Sequence, residues 1–162
     1  MGWFARVYGL ACLVAISRWC EGVSGERVEL LKDRARFFLG LARELLGRGR
    51  LDVSAFSVEQ AIQLRVRASL LRFTGEIPGV HSIRELLGML ARVLEDLGFA
   101  DEVQRVRGFV REHRDVLVDV EDAYTMARYA VFTAGVREVE EMIRVAEKLF
   151  KLLDWVEERV LG

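Results

Sequence analysis

Three groups of residues in this chain have the types and spacing for chemistry. Tyr124 and Arg128 stand four apart, so on a helix they share one face. A guanidinium forks onto phosphate and a phenol ring stacks on a base, so the pair suits a nucleotide. The plainer reading is an Arg paired to a carboxylate, with the Tyr half in the core. His81 precedes Ser82-Ile83-Arg84-Glu85, a capping box with Ser at the N-cap and Glu at N3. A helix start offers unpaired N–H groups and positive dipole charge. An anion such as phosphate fits there, with His81 and Arg84 beside it, or else His81 simply covers the helix end. Arg107, Arg111 and Arg114 fall at i, i+4 and i+7, with His113 nearby. Such a basic stripe suits an RNA backbone, and equally a solvated face.

Other chemistries have no carrier here. The chain lacks GxGxxG, a P-loop and a G-x-S-x-G elbow. Cys12 and Cys20 are its only cysteines, with no His near them, so neither a metal site nor a disulfide framework is expected. No cofactor is implied. The net charge is −1, so a nucleic-acid surface must be a local patch. Of the 24 basic residues only Lys32, Lys148 and Lys151 are lysine.

The elements that must position these residues are helices. The chain has 162 residues, 52% hydrophobic and 30% charged, with one proline, which suits one soluble domain of long helices. Asp52 to Phe73 is apolar around most of its circumference and reads as the central helix. Its polar exceptions Glu59, Gln63 and Arg67, with Gln60 beside them, form one narrow row. That row is either the wet side of the helix or a face for a partner. Residues 26–46 are amphipathic, with Ser24 placed as N-cap and Gly47 and Gly49 closing the segment. A third helix follows Ser82, with Ile83, Leu86, Leu87, Leu90 and Leu94 inward and Gly98 as its stop. A fourth is expected over 101–113, a fifth over about 119–131, and a last over about 136–160 with an apolar stripe from Val139 to Val156. The fold class is an all-α, up-and-down helical bundle.

The order of motifs resembles the HEPN domain family. The matching pieces are Val58-Glu59-Gln60-Ala61, Gln63-Leu64, Arg67 before Leu70-Leu71, and His81 before Glu85-Leu86-Leu87. Asp122-Ala123-Tyr124 and Ala127-Arg128-Tyr129 continue it. Arg67 stands where many members have Lys. The likeness covers roughly residues 27 to 160. It implies a HEPN-like four-helix bundle with extra short helices, resembling the cytoplasmic partners of minimal nucleotidyltransferases in toxin–antitoxin pairs. It further implies a homodimer, a nucleotide or RNA ligand, and binding residues His81, Arg84, Tyr124, Arg128 and Arg67. Many HEPN proteins are metal-independent ribonucleases marked by an Arg and a His with four to six residues between them. Arg107 and His113 match that spacing, but Gly108 follows the Arg and the pair lies before the final helices. The alternatives are therefore a ribonuclease toxin using this pair, or a purely structural oligomerising domain.

Residues 1–23 stand apart from the bundle domain expected over 24–162. Val7 to Ile16 is nearly all apolar but too short to cross a membrane, which takes roughly 20 residues. The segment reads as a docked helix, a start placed upstream of the domain, or a processed signal.

Overall fold

The computed structural model describes residues 10–129 and 134–162, with side chains for 25–126, 129 and 134–162. The described residues form six helices and no strand: α1 (Leu10–Gly47), α2 (Leu51–Thr74), α3 (Ile83–Asp96), α4 (Ala100–Glu112), α5 (Arg114–Tyr129) and α6 (Val136–Leu161).

The all-round apolar stretch does become the hub. α2 packs against α1, α3, α5 and α6. Ala55, Val58, Ala61, Ile62, Val66 and Leu70 on it are at most 1% exposed. Each large apolar side chain so buried contributes roughly 1.5–3 kcal/mol. Helix hydroxyls buried with them must find acceptors. Ser54 donates to the Ala42 carbonyl at 2.7 Å and Ser57 to that of Val53 at 2.7 Å.

Short links fold the helices back on one another. Residues 48–50 join α1 to α2, and the two lie along each other as a hairpin. Gly75 ends α2 in the left-handed region, φ 76°, with its N–H on the Leu71 carbonyl at 2.8 Å. Ile83, Leu86, Leu87, Leu90 and Leu94 line the inner face of α3. Val139, Met142, Ile143, Ala146, Leu149, Leu153 and Val156 do the same on α6, with Phe150 partly buried beside them.

Two elements differ from the sequence reading. α1 runs unbroken through Ser24 and Gly25, so Ser24 lies inside the helix and is not its cap. An interior glycine costs a helix only about 1 kcal/mol, which is too little to stop a segment already helical on both sides. α5 begins at Arg114 rather than near 119. Leu117 and Val120 are buried at helical spacing, so the first turn is held by packing.

A buried ionic cluster crosses α1, α2 and α6. Arg65, 2% exposed, donates to Glu157 Oε1 at 2.8 Å, Asp154 Oδ1 at 2.7 Å and Ser69 Oγ at 2.8 Å. Ser69 donates to Glu157 Oε1 at 2.8 Å, and Lys32 of α1 donates to Glu157 Oε2. Burial pushes the Glu157 carboxyl up. The Arg65 charge and hydrogen bonds from Lys32, Arg65 and Ser69 outweigh that, and hold it below its ordinary range.

Candidate functional site

The sequence places its candidate site where α3 begins, and the packing of α2 and α5 decides what that site is. Ser82 is the N-cap of α3; its Oγ accepts the Glu85 N–H at 3.3 Å. The capping-box spacing puts the acid of this helix end at Glu85. The acid that closes it is Glu121 of α5. Glu121 Oε1 accepts from Ser82 Oγ at 2.9 Å and from the Arg84 N–H at 2.9 Å. Glu121 Oε2 accepts from Arg84 Nε at 3.0 Å and Nη2 at 2.8 Å. One carboxylate thus takes a helix-end amide and both arms of a guanidinium fork. Burial raises the Glu121 carboxyl, but the Arg84 side chain, the Arg84 amide, the Ser82 hydroxyl and the Arg84 charge together hold it below its ordinary range. The hydrogen bond that Arg84 donates to Glu121, then the Glu121 charge, hold the guanidinium above its ordinary value in turn.

The polar row of α2 is neither a wet side nor an open face. Glu59 is 1% exposed and Gln63 is buried. Gln60 Nε2 donates to Glu59 Oε2 at 2.6 Å, and Gln63 Nε2 to Glu59 Oε1 and to the His81 carbonyl at 2.6 Å. Arg67 Nη2 donates to the Val80 carbonyl at 2.7 Å and lies 3.5 Å from His81 Nδ1. The row therefore clamps the chain that leads into α3. Arg67 Nε is buried without a hydrogen-bond partner among the described residues.

Of the residues expected to bind ligand, His81, Arg84, Tyr124 and Arg67 come together. Tyr124 stacks on Phe56 of α2, ring centroids 6.2 Å apart and 24° from parallel. Glu59, Gln63, His81, Ser82, Glu121 and Tyr124 line a cavity of about 190 Å³. Arg128 lies one turn past Tyr124 on α5; its side chain is outside the described residues. At the start of α3, where the sequence offers an anion site, a protein carboxylate stands. Glu121 already occupies the helix end, and a second carboxylate, Glu59, lines the same cavity. A phosphate there would meet two like charges. Glu121 was legible in part: Glu121, Tyr124 and Arg128 fall at i, i+3 and i+7 on one helical face.

The ribonuclease pair is not assembled within the chain. His113, 8% exposed, packs its ring edge-on against Phe109 at 4.7 Å between centroids. Arg107 points elsewhere, onto Glu95 Oε2 at 2.7 Å. It lines a groove between α3 and α4, and His113 is not among the residues lining it.

That groove has a volume of about 810 Å³. Its floor is Leu87, Ala91, Val106 and Val110, and its rims carry Arg84, Arg92, Arg107 and Arg111 against the single acid Glu95. Arg84 is held by Glu121 and Arg107 by Glu95. Among the described residues Arg92 and Arg111 make no ion pair, and both are exposed. The sequence stripe had shown Arg107 and Arg111; Arg92 joins them only because α3 packs beside α4. No group of His, Cys, Asp and Glu among the described residues is placed to hold a metal ion. No described helix is long and apolar enough to cross a membrane.

An all-α bundle wound on one central helix, with an interior polar row gripping the entry to the third, defines the class. The chain matches the HEPN domain model over residues 28–158 and belongs to the HEPN family. No curated relative matches it.

Proposed function

We propose that this HEPN protein is a non-catalytic binding module for nucleotide or RNA, and that phosphate is held in the α3–α4 groove. One observation carries the reading: four arginines face a single glutamate on that groove, and two of the four are free of protein carboxylates among the described residues. Exposed guanidiniums on a concave, part-apolar surface gain most from a phosphate backbone, by charge and by release of its counterions. Arg84 lies at the junction of the groove and the His81–Tyr124 cavity, because its partner Glu121 lines the cavity. The burial of His113 argues against the nuclease alternative.

The test is fluorescence anisotropy of a labelled RNA oligomer at two salt concentrations. Arg92→Glu combined with Arg111→Glu should weaken binding at least tenfold and lower the salt slope by about one for each lost phosphate contact. Unchanged affinity in that variant overturns the reading.

The same reading includes partners. A second copy suits the apolar stripe on α1, where Leu30 and Phe37 stand one heptad apart, Phe37 66% exposed. A separately encoded minimal nucleotidyltransferase, as in a cytoplasmic toxin–antitoxin pair, is the other. Sedimentation of the purified chain tests the first, and a pull-down from the native host tests the second.

A further inference from the structure

The α3–α4 groove does not end at α4. Gln104 lines it and also lines a second groove of about 600 Å³, formed by Asp101 and Arg105 of α4 with Trp155 and Arg159 of α6. Trp155 is half-buried, and one face of its indole lies against Arg105 of α4. The Arg105 guanidinium lies over that face, 4.4 Å from the ring centroid, and Arg159 stands 5.9 Å away. A flat, delocalised cation therefore already covers the ring face where a nucleobase would stack.

We propose that Trp155 is a base-stacking platform continuous with the arginine groove, so that the ligand is an unpaired strand long enough to cover both. This rests on the phosphate reading of the α3–α4 groove and extends it. A base stacks on tryptophan more strongly than an exposed guanidinium does. The exchange is therefore favourable, and it frees Arg105, on the exposed side of α4, to meet the next phosphate. The acids Asp101, which lines the second groove, and Glu102, which pairs with Arg159 at 3.4 Å, lie at the edge of the platform. They leave Arg105 without a carboxylate partner among the described residues. A duplex buries its base faces and has none to offer Trp155, whereas RNA and DNA single strands offer the same π-face.

The experiment uses the full chain and labelled probes of about 12 nucleotides, within the range one such surface covers. The probes are an RNA strand, the same DNA strand, the RNA duplex and a polyglutamate of similar charge. The wild type should bind both strands more tightly than the duplex or the polyglutamate, and the strands should quench tryptophan emission. Trp155→Leu should lower strand affinity about tenfold and remove the quench, and Trp155→Phe should restore most of the affinity. Thermal melts of both variants establish that they fold; should Trp155→Leu fail to fold, loss of the quench in Trp155→Phe decides alone. If Trp155→Leu binds strands like the wild type while Arg92→Glu with Arg111→Glu does not, the platform is wrong and the groove reading survives. If neither variant loses affinity, both are wrong. Duplex bound as tightly as strand overturns the platform, and so does polyglutamate bound as tightly as strand, which would make the groove a dock for acidic peptide.

Discussion

Glu121 does at the start of α3 what a bound phosphate would do there. It satisfies the Arg84 amide and takes both arms of the Arg84 fork. Hydrogen bonds to a charged group contribute about 1.5–3 kcal/mol, and less where solvent screens them, as at the Arg84 side chain, 38% exposed. Glu121→Gln keeps the shape but loses the charge and one acceptor, so urea denaturation should show a loss of about 1–3 kcal/mol. Glu85→Gln, on an exposed side chain, should stay within about 0.5 kcal/mol. The pH profile follows from the signs. Glu121 and Glu157 both sit below the ordinary carboxyl value of 4.5. Their stabilisation is complete above that value and fades as pH falls through the lowered ones. Asp119 runs the other way. Burial first, then the charges of Asp122, Glu138 and Asp115, raise it above 3.8. Its ionised form opposes folding, so its favourable contribution exists at acid pH and is lost as pH rises through the raised value. Asp119→Asn should therefore raise the melting temperature at neutral pH and leave it unchanged in acid.

At the scale of elements, what a glycine does depends on where in a helix it stands, and two glycines show it with opposite signs. Gly75 needs its left-handed backbone, φ 76°, to turn the chain out of α2. Gly75→Ala should cost about 1–2 kcal/mol. Gly108 lies inside α4, and a Cβ added there meets nothing within 4 Å. Gly108→Ala should stabilise by about 0.5–1 kcal/mol, read from denaturation midpoints at constant slope. The same contrast explains what the sequence reveals. Local period and local punctuation mark α2, α3 and α6 because their signals lie within a few residues of one another. Ser82 announces the start of α3 because the hydroxyl acts three residues away. The partners of polar residues carry no such period. Glu121 reaches across 37 positions to Arg84, and Gln63 across 18 to His81. Hence the polar row of α2 was visible, but not its role as an interior clamp. The Arg107–His113 spacing misleads for the same reason: five intervening residues fix a distance along the chain, while Phe109 decides where the imidazole goes.

At the scale of the molecule, the Arg65 cluster links three of the long helices through the core. Its members come from α1, α2 and α6, and Asp154 and Glu157 straddle Trp155 in the sequence, so the cluster is expected to influence how α6 presents the indole to Arg105. Taking such charges out of water is costly, and their mutual attraction roughly balances that cost only while every partner is present. Removing one partner and removing two therefore have different effects. Arg65→Met deletes the guanidinium and leaves Glu157 buried with only Lys32 and Ser69 to satisfy it, at a cost of about 3 kcal/mol or more. Adding Glu157→Leu removes the stranded carboxylate, and Lys32 still lies 3.7 Å from the exposed Glu29. The double variant should then be more stable than Arg65→Met alone, with a coupling energy above about 1 kcal/mol in a double-mutant cycle. Additive losses in that cycle would mean that the helices are held by their apolar stripes alone, and that the orientation of Trp155 depends on packing with Arg105 instead of on the buried charges.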